Sequence, residues 1–155
     1  MNYWLFKSEP GCFSIQDLLD APGHVTAWDG VRNYQARNFM RAMRAGDEGF
    51  FYHSGTHPEI AGIVRVCREA YPDHTSWDPA GGHFDPASTP EHPRWFMVDV
   101  RLIALAEPPL PRALLAREPE LAGMELLRRG SRLSVQPVQE SAFKHITRMM
   151  TLRAV

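Results

Sequence analysis

The sequence predicts an α+β fold, in which a small, strongly bent β-sheet or barrel is surrounded by short helices. Strand-like segments are interspersed with short amphipathic helical segments, and they do not alternate regularly as in a parallel α/β sheet. The length of 155 residues, with 44% hydrophobic and 23% charged residues, is typical of one globular domain. We therefore expect a single domain over residues 1–155.

The first third of the chain predicts one strand and two helices. Asn2–Lys7 is aromatic and apolar, which favours a strand. Ser14 is a suitable N-cap with Asp17 three residues further on, a pattern that starts a helix. The segment from Asn33 to Gly46 carries apolar residues at helical spacing, with Asn33 as a possible cap and Gly46 as a stop signal.

The middle of the chain predicts three strands and one long loop. Glu48–Ser54 and Ile60–Tyr71 are rich in β-branched and aromatic residues and flank a turn. Apolar residues alternate with polar ones over Phe96–Leu102, as in a half-buried strand. The 22-residue segment Pro72–Pro93 contains five prolines. Loops of this length in compact domains are usually functional or mobile.

The last third predicts further short elements. Arg112–Glu118 and Met124–Arg129 have helical patterns, and Gly130 is a stop signal after the second. Leu133–Pro137 resembles a strand, and Glu140–Met150 places its apolar residues on one helical face.

Several classes of protein are not expected. No run approaches the roughly 18 apolar residues of a membrane span, and the N-terminus lacks the pattern of a signal peptide, so we expect a cytoplasmic protein with no membrane partner. Cys12 and Cys67 do not form a zinc-binding or disulfide pattern, and His53 and His57 flank a turn rather than sharing a helix face. Phosphate-loop and dinucleotide fingerprints do not occur. We expect no cofactor and no metal.

The charge distribution leaves a nucleic-acid partner possible, although the net charge is −1. The chain has 15 arginines and only two lysines, and four of the arginines lie between Gly30 and Gly46 without any acid. Between Glu69 and Pro93 there are five acids and no Lys or Arg. The sum near zero therefore hides a basic segment and an acidic loop, and it excludes only a protein that is basic all over.

Four segments combine planar aromatic, polar and basic side chains, as a nucleobase site requires. A base outside its stack offers a flat face to Trp or Tyr and a hydrogen-bonding edge to Ser, Glu, Asn or Gln, and its phosphates favour Arg or Lys. The aromatic residues are equally compatible with a core, the arginines with a solvated helix face, and the serines with backbone capping. The segments are Lys7–Pro10, Trp28–Asn38, Tyr52–Ser54 and Arg132–Pro137.

Two other functions stay open. The first is a small enzyme, a nuclease or a hydrolase of modified nucleotides, with His53, Glu9 and Lys7 as acid, base and electrostatic groups. A hydrolytic triad is disfavoured, because His53 and Ser54 are neighbours in a predicted strand and point to opposite faces. The second is a protein-interaction module that uses the Pro72–Pro93 loop.

These segments resemble the EVE-domain family, which includes many small standalone bacterial proteins. The resemblance covers nearly the whole chain, and its most specific runs are Val31–Asn38 and Arg132–Pro137. It implies a PUA-like fold, a small bent β-barrel of about five or six strands with peripheral short helices, related to YTH and ASCH domains. The sequence departs from the family pattern at Cys12, where a polar or aromatic residue is commoner, and at His83, where an aromatic residue is frequent.

The resemblance also implies a function and a set of site residues. It implies a non-catalytic module that binds DNA or RNA and recognises a modified base, most often a modified cytosine, turned into a pocket; we expect a monomer. Either Trp28 or Tyr34 would stack on the base. The residues implied to read the base edge are Ser8, Glu9, Asn33 and Ser134, and those implied to hold phosphates are Lys7, Arg32, Arg37 and Arg132. The expected pocket also includes Pro10, Val31, Tyr52, His53, Ser54, Leu133, Gln136 and Pro137.

Overall fold

One mixed β-sheet organises the chain in the computed structural model, which describes residues 1–155. The strands are β1 (Tyr3–Ser8), β2 (Val25–Ala27), β3 (Glu48–His53), β4 (Glu59–Pro72), β5 (Phe96–Pro111), β6 (Val135–Val138) and β7 (Leu152–Ala154). The α-helices are α1 (Ile15–Asp20), α2 (Tyr34–Ala42), α3 (Arg112–Leu115) and α4 (Glu140–Met149). Short 3₁₀ turns span Pro22–His24, His74–Trp77, Pro119–Leu121 and Glu125–Leu127.

The sheet has seven strands in the order β2-β5-β4-β3-β1-β6, with β7 paired to β5. Only β1 and β3 are parallel; the other pairs are antiparallel. The α+β class is confirmed, but the sheet is not closed, since β2 and β6 end the path without pairing to each other. It exceeds the expected five or six strands because β2 and β7 have three residues each, too few to show a pattern. No helix is long and apolar enough to cross a membrane.

The two caps predicted for the N-terminal helices are confirmed. The Ser14 hydroxyl accepts from the Asp17 backbone N–H, and the Asp17 carboxylate accepts from the Ser14 backbone N–H, which completes a capping box on α1. The Asn33 side chain accepts from the Ala36 N–H at the start of α2. The predicted stop at Gly46 is wrong by one turn, because α2 ends at Ala42 with Met43 as its C-cap.

Alternation along β1 separates two hydrophobic cores. Trp4 and Phe6 point into a first core with Phe51 and the buried faces of α1 and α2, whereas Leu5 points into a second core with the buried faces of α3 and α4. Each face of the central strands is therefore covered by helices. Ser8, the last residue of β1, emerges beside the first core.

The segment between β4 and β5 is anchored by one buried carboxylate, that of Asp73. Asp73 Oδ2 accepts from the Gly30 N–H and from Arg32 Nη1, both at 2.9 Å, and Oδ1 accepts from Thr75 N at 2.9 Å and Thr75 Oγ1 at 2.5 Å. Arg32 continues to the His83 carbonyl, donating from Nε at 3.0 Å and Nη2 at 2.8 Å. These contacts, here named the Asp73 clamp, tie the expected long loop to the chain before α2.

The clamp changes the acidity of Asp73. Burial by itself would raise the pKa of this carboxyl, but hydrogen bonds from Thr75, Arg32 and Gly30 outweigh burial and hold the pKa below its ordinary value. Because the folded state favours the ionised form, this stabilisation is present above the unfolded pKa of about 3.9 and is lost as pH falls through the folded value.

We therefore predict that Asp73→Asn lowers the free energy of unfolding by about 1–3 kcal/mol at pH 7, since an amide nitrogen cannot accept the bonds that the carboxylate receives. Denaturant unfolding of both proteins should show this difference shrinking below about pH 4. Glu91→Gln is the control, because Glu91 is exposed in the same segment and makes no side-chain bond. A difference that stays constant down to pH 2 would contradict the charge argument.

Candidate base-binding cleft

An open cleft of about 380 Å³ lies where β1 ends, next to β2 and the start of β6. This volume is within the usual range of small-molecule sites, about 300–1,000 Å³. Four segments supply its walls: the end of β1 with the following turn, the stretch from β2 to Arg32, the anchored segment between β4 and β5, and the residue before β6. The lining residues are Lys7, Ser8, Glu9, Cys12, Phe13, Thr26, Ala27, Trp28, Asp29, Gly30, Val31, Arg32, His83 and Ser134.

Trp28 forms a rigid apolar part of the lining. Its indole makes edge contacts with Phe6 and Phe51, with ring centroids 5.1 and 5.5 Å away. Its backbone N–H donates to the Val98 carbonyl at 2.7 Å, immediately after β2. Only 8% of Trp28 is exposed, so this residue belongs to the first core and to the cleft at once.

Two serines lie together because backbone bonds join the ends of β1 and β6. The Lys7 N–H donates to the Ser134 carbonyl at 2.8 Å, which places the Ser134 side chain beside the end of β1. The Ser8 hydroxyl donates to the Phe13 carbonyl at 2.6 Å and fixes the turn after β1. The Ser134 hydroxyl makes no hydrogen bond within the chain and is free for a ligand.

Arg32 lines the cleft, but its bonding differs from the expected phosphate contact. Its five N–H donors are all used: by the Val31 carbonyl, Asp73 Oδ2 and Thr75 Oγ1, one each, and by the His83 carbonyl twice. No donor is left for a phosphate. The structure therefore gives Arg32 a structural position in the Asp73 clamp in place of phosphate binding.

His83 and Gly30 form a wall that the sequence pattern did not indicate as part of a site. Gly30 has φ of +77°, and a Cβ on it would lie 2.7 Å from His83 Cε1, so only glycine allows the imidazole to pack there. Asp29 and Gly30 stand within the motif that contains Trp28. His83 comes from a distant segment, and no local signal could have placed it in the cleft.

Four residues expected in the pocket lie elsewhere. Tyr52 and Gln136 are buried beside Leu5 on the opposite face of the sheet, Leu133 belongs to the first core, and Pro137 is exposed on β6. Burial raises the pKa of the Tyr52 hydroxyl, although nearby Arg112 opposes the shift. The reason is the two-residue repeat of β-strands, which sends neighbours of a site residue to other surroundings.

His53 is a buried structural link rather than a cleft residue. Its Nε2 accepts from the Ile15 N–H at 3.0 Å at the start of α1, and its Nδ1 lies 3.0 Å from Glu59 Oε2. The expected enzyme site needs His53 beside Lys7 and Glu9, but the structure brings only the latter two to the cleft. Ser54 follows β3, with its N–H donating to the Ser8 carbonyl.

Tyr34, Arg37 and Asn33 lie at the start of α2, outside the lining. Tyr34 is 51% exposed and stacks on Trp95, with centroids 4.9 Å apart and an interplanar angle of 23°. The Arg37 guanidinium lies 4.8 Å from the Tyr34 ring, and its Nη1 donates to the Arg94 carbonyl at 3.0 Å. Asn33 is occupied as the cap of α2, so its expected edge-reading contact is replaced by a backbone bond.

Three further predicted residues lie close to the cleft. Pro10 is exposed in the turn after β1, and Arg132 is exposed two residues before Ser134 without any ion pair or side-chain hydrogen bond. Lys7 alternates with Ser8 along β1 and shares the face of Leu5. Burial lowers the pKa of the Lys7 ammonium, with Glu125 opposing and Arg112 reinforcing the shift.

Comparison with known proteins agrees with this architecture. Residues 2–149 match the family model described as EVE domain. Thymocyte nuclear protein 1 from Homo sapiens is 43% identical over 163 residues, covering 94% of this chain and 72% of that protein. The Mus musculus protein of the same name is 44% identical with the same coverage. That name describes the relatives as nuclear, and the cytoplasmic location expected for this chain stays a prediction.

Solved structures give the same relationship. The crystal structure of human THYN1 protein in complex with 5-methylcytosine-containing DNA superimposes with a TM-score of 0.91 at 42% identity, covering 96% of this chain and 97% of that one. A hypothetical protein from Leishmania major gives 0.91 at 47% identity, covering 96% and 94%. An ASCH protein from Zymomonas mobilis, at 7% identity and a TM-score of 0.56, covering 97% and 100%, shares only the fold. The family match over nearly the whole chain and these relatives show that the chain belongs to the EVE-domain family.

Proposed function

We propose that this chain is a non-catalytic DNA-binding module that recognises a modified base, a modified cytosine, turned out of the duplex into the cleft. The observation that carries the proposal is the cleft itself, in which the rigid Trp28 indole adjoins the free hydroxyl of Ser134. A concave site of this kind cannot read a base that stays stacked, so the nucleotide must rotate outwards.

The energetics of the cleft are consistent with one extruded base. Extrusion costs a few kcal/mol, and contact with aromatic side chains returns about 1–3 kcal/mol per base. Trp28 and the half-buried Phe13 supply the aromatic surface within the lining. Because Trp28 is fixed by the first core, little side-chain entropy is lost when a base binds.

Phosphate binding falls to arginines at the rim, since the donors of Arg32 are occupied. Arg132 is exposed and unpaired, and Arg37 retains N–H groups beside the exposed Tyr34 ring. We expect few phosphate contacts and therefore modest non-specific affinity.

The relatives support DNA as the partner. The structure of human THYN1 protein contains 5-methylcytosine DNA, and this chain shares 42% of its residues and nearly all of its fold. We therefore choose DNA over RNA. Catalysis is disfavoured by the position of His53, because both of its ring nitrogens already have partners away from the cleft.

The first prediction fills the cleft. Ser134→Trp should lower the affinity for a duplex with one 5-methylcytosine by about tenfold or more, because the indole would occupy the volume that the base needs. Fluorescence anisotropy with the modified duplex and its unmodified twin measures the effect. Ser141→Trp is the matched control, since Ser141 is exposed on α4 at the second core. Equal affinity of the unaltered protein for the two duplexes would refute the proposed function.

The second prediction concerns the rim. Arg132→Gln should weaken binding to modified and unmodified duplexes by a similar factor and reduce the slope of log K against log salt by about 0.9, as expected for one lost phosphate contact. Arg148→Gln on α4 serves as the charge-matched control, because Arg148 is exposed on the helix that covers the second core. An unchanged salt slope would remove Arg132 from the phosphate contacts.

A further inference from the structure

The cleft contains two carboxylates that have no partner within the chain. Glu9 follows β1 and Asp29 follows Trp28, and both side chains are exposed and line the cleft. Neither carboxylate accepts a hydrogen bond or forms an ion pair, whereas Asp47, Asp73 and Asp85 are each held by several donors. Glu9 and Asp29 are therefore available to a ligand.

Cations do not neutralise these carboxylates from inside the cleft. The five N–H donors of Arg32 are bound to other acceptors, and Lys7 follows the face of β1 that leads to the second core. The remaining polar side chains of the lining are the hydroxyls of Ser8, Thr26 and Ser134, the Cys12 thiol and the His83 imidazole. The cleft is thus rich in acceptors and carries negative charge.

An ionised carboxylate only accepts hydrogen bonds, so it distinguishes bases by their edges. Cytosine presents an N4 amine, which donates, whereas thymine presents O4, which accepts and would face the carboxylate without a proton. We propose that Glu9 and Asp29 read the exocyclic amine of the bound base, so that the cleft accepts cytosine-type bases and rejects bases with a keto group at that position. This inference rests on the proposed function and names the chemical class of base that it selects.

The test uses a pair of bases of nearly the same shape. 5-Methylcytosine and thymine share the methyl group and differ in the amine or keto group and in the proton at N3. Each is placed opposite an abasic site in otherwise identical duplexes, which makes the cost of extrusion similar for both. The unaltered protein should bind the 5-methylcytosine duplex about tenfold more tightly or better.

Conservative variants assign the effect to the two carboxylates. Glu9→Gln and Asp29→Asn should each narrow the ratio between the duplexes, and the double variant should bring it close to one, because an amide donates to a keto oxygen as well as it accepts from an amine. Glu91→Gln, which removes the same charge from an exposed position outside the cleft, should leave the ratio unchanged. Circular dichroism verifies that each variant is folded.

A modified ligand gives a measurement that needs no protein variant. N4,N4-dimethyl-5-methylcytosine has no amine proton and should bind as weakly as thymine. If the unaltered protein prefers 5-methylcytosine to cytosine but binds thymine or the dimethylated base equally well, the amine inference is overturned and the proposed function stands. If it shows no preference for 5-methylcytosine over cytosine in a normal duplex, the proposed function itself fails.

Discussion

The buried carboxylate of Asp73 is the contact on which the geometry of the cleft depends. It holds the Gly30 amide and the Arg32 guanidinium, and Arg32 in turn holds the His83 carbonyl. Three distant parts of the chain thereby meet at one ion pair, in which the Asp73 side chain is fully buried. Removing one partner of such a pair leaves an uncompensated charge, so the arrangement is strongly constrained.

The sheet supplies the second constraint. Because side chains alternate along β1, the strand that separates the two cores also delivers Ser8 to the cleft and Lys7 to the opposite face. Trp28 links the two requirements, since its indole is part of the first core and part of the lining. Binding surface and core packing therefore use the same side chains, and the cleft is preorganised without a ligand.

Local patterns predicted the elements well and the site only in part. Caps at Ser14 and Asn33 and the apolar spacing of α2 and α4 are short-range signals, and the structure confirms them. The family motifs led to Ser8, Glu9, Trp28 and Ser134, which do line one cleft. Motifs do not reveal which face a strand residue occupies or which donors are already used, and Tyr52, His53 and Arg32 were misplaced for that reason. Residues such as His83 and Thr26 reach the cleft through tertiary contacts alone.

The way in which His83 is held separates its position from its identity. Arg32 binds the backbone carbonyl of residue 83 and not its imidazole, and every residue type carries that carbonyl. The scaffold would therefore keep the same path with a different side chain at this position, while the wall against Gly30 changed in shape, charge or hydrogen-bonding capacity. Position 83 is thus an interchangeable module of the cleft, through which the choice of ligand can diverge between related proteins without any cost to folding.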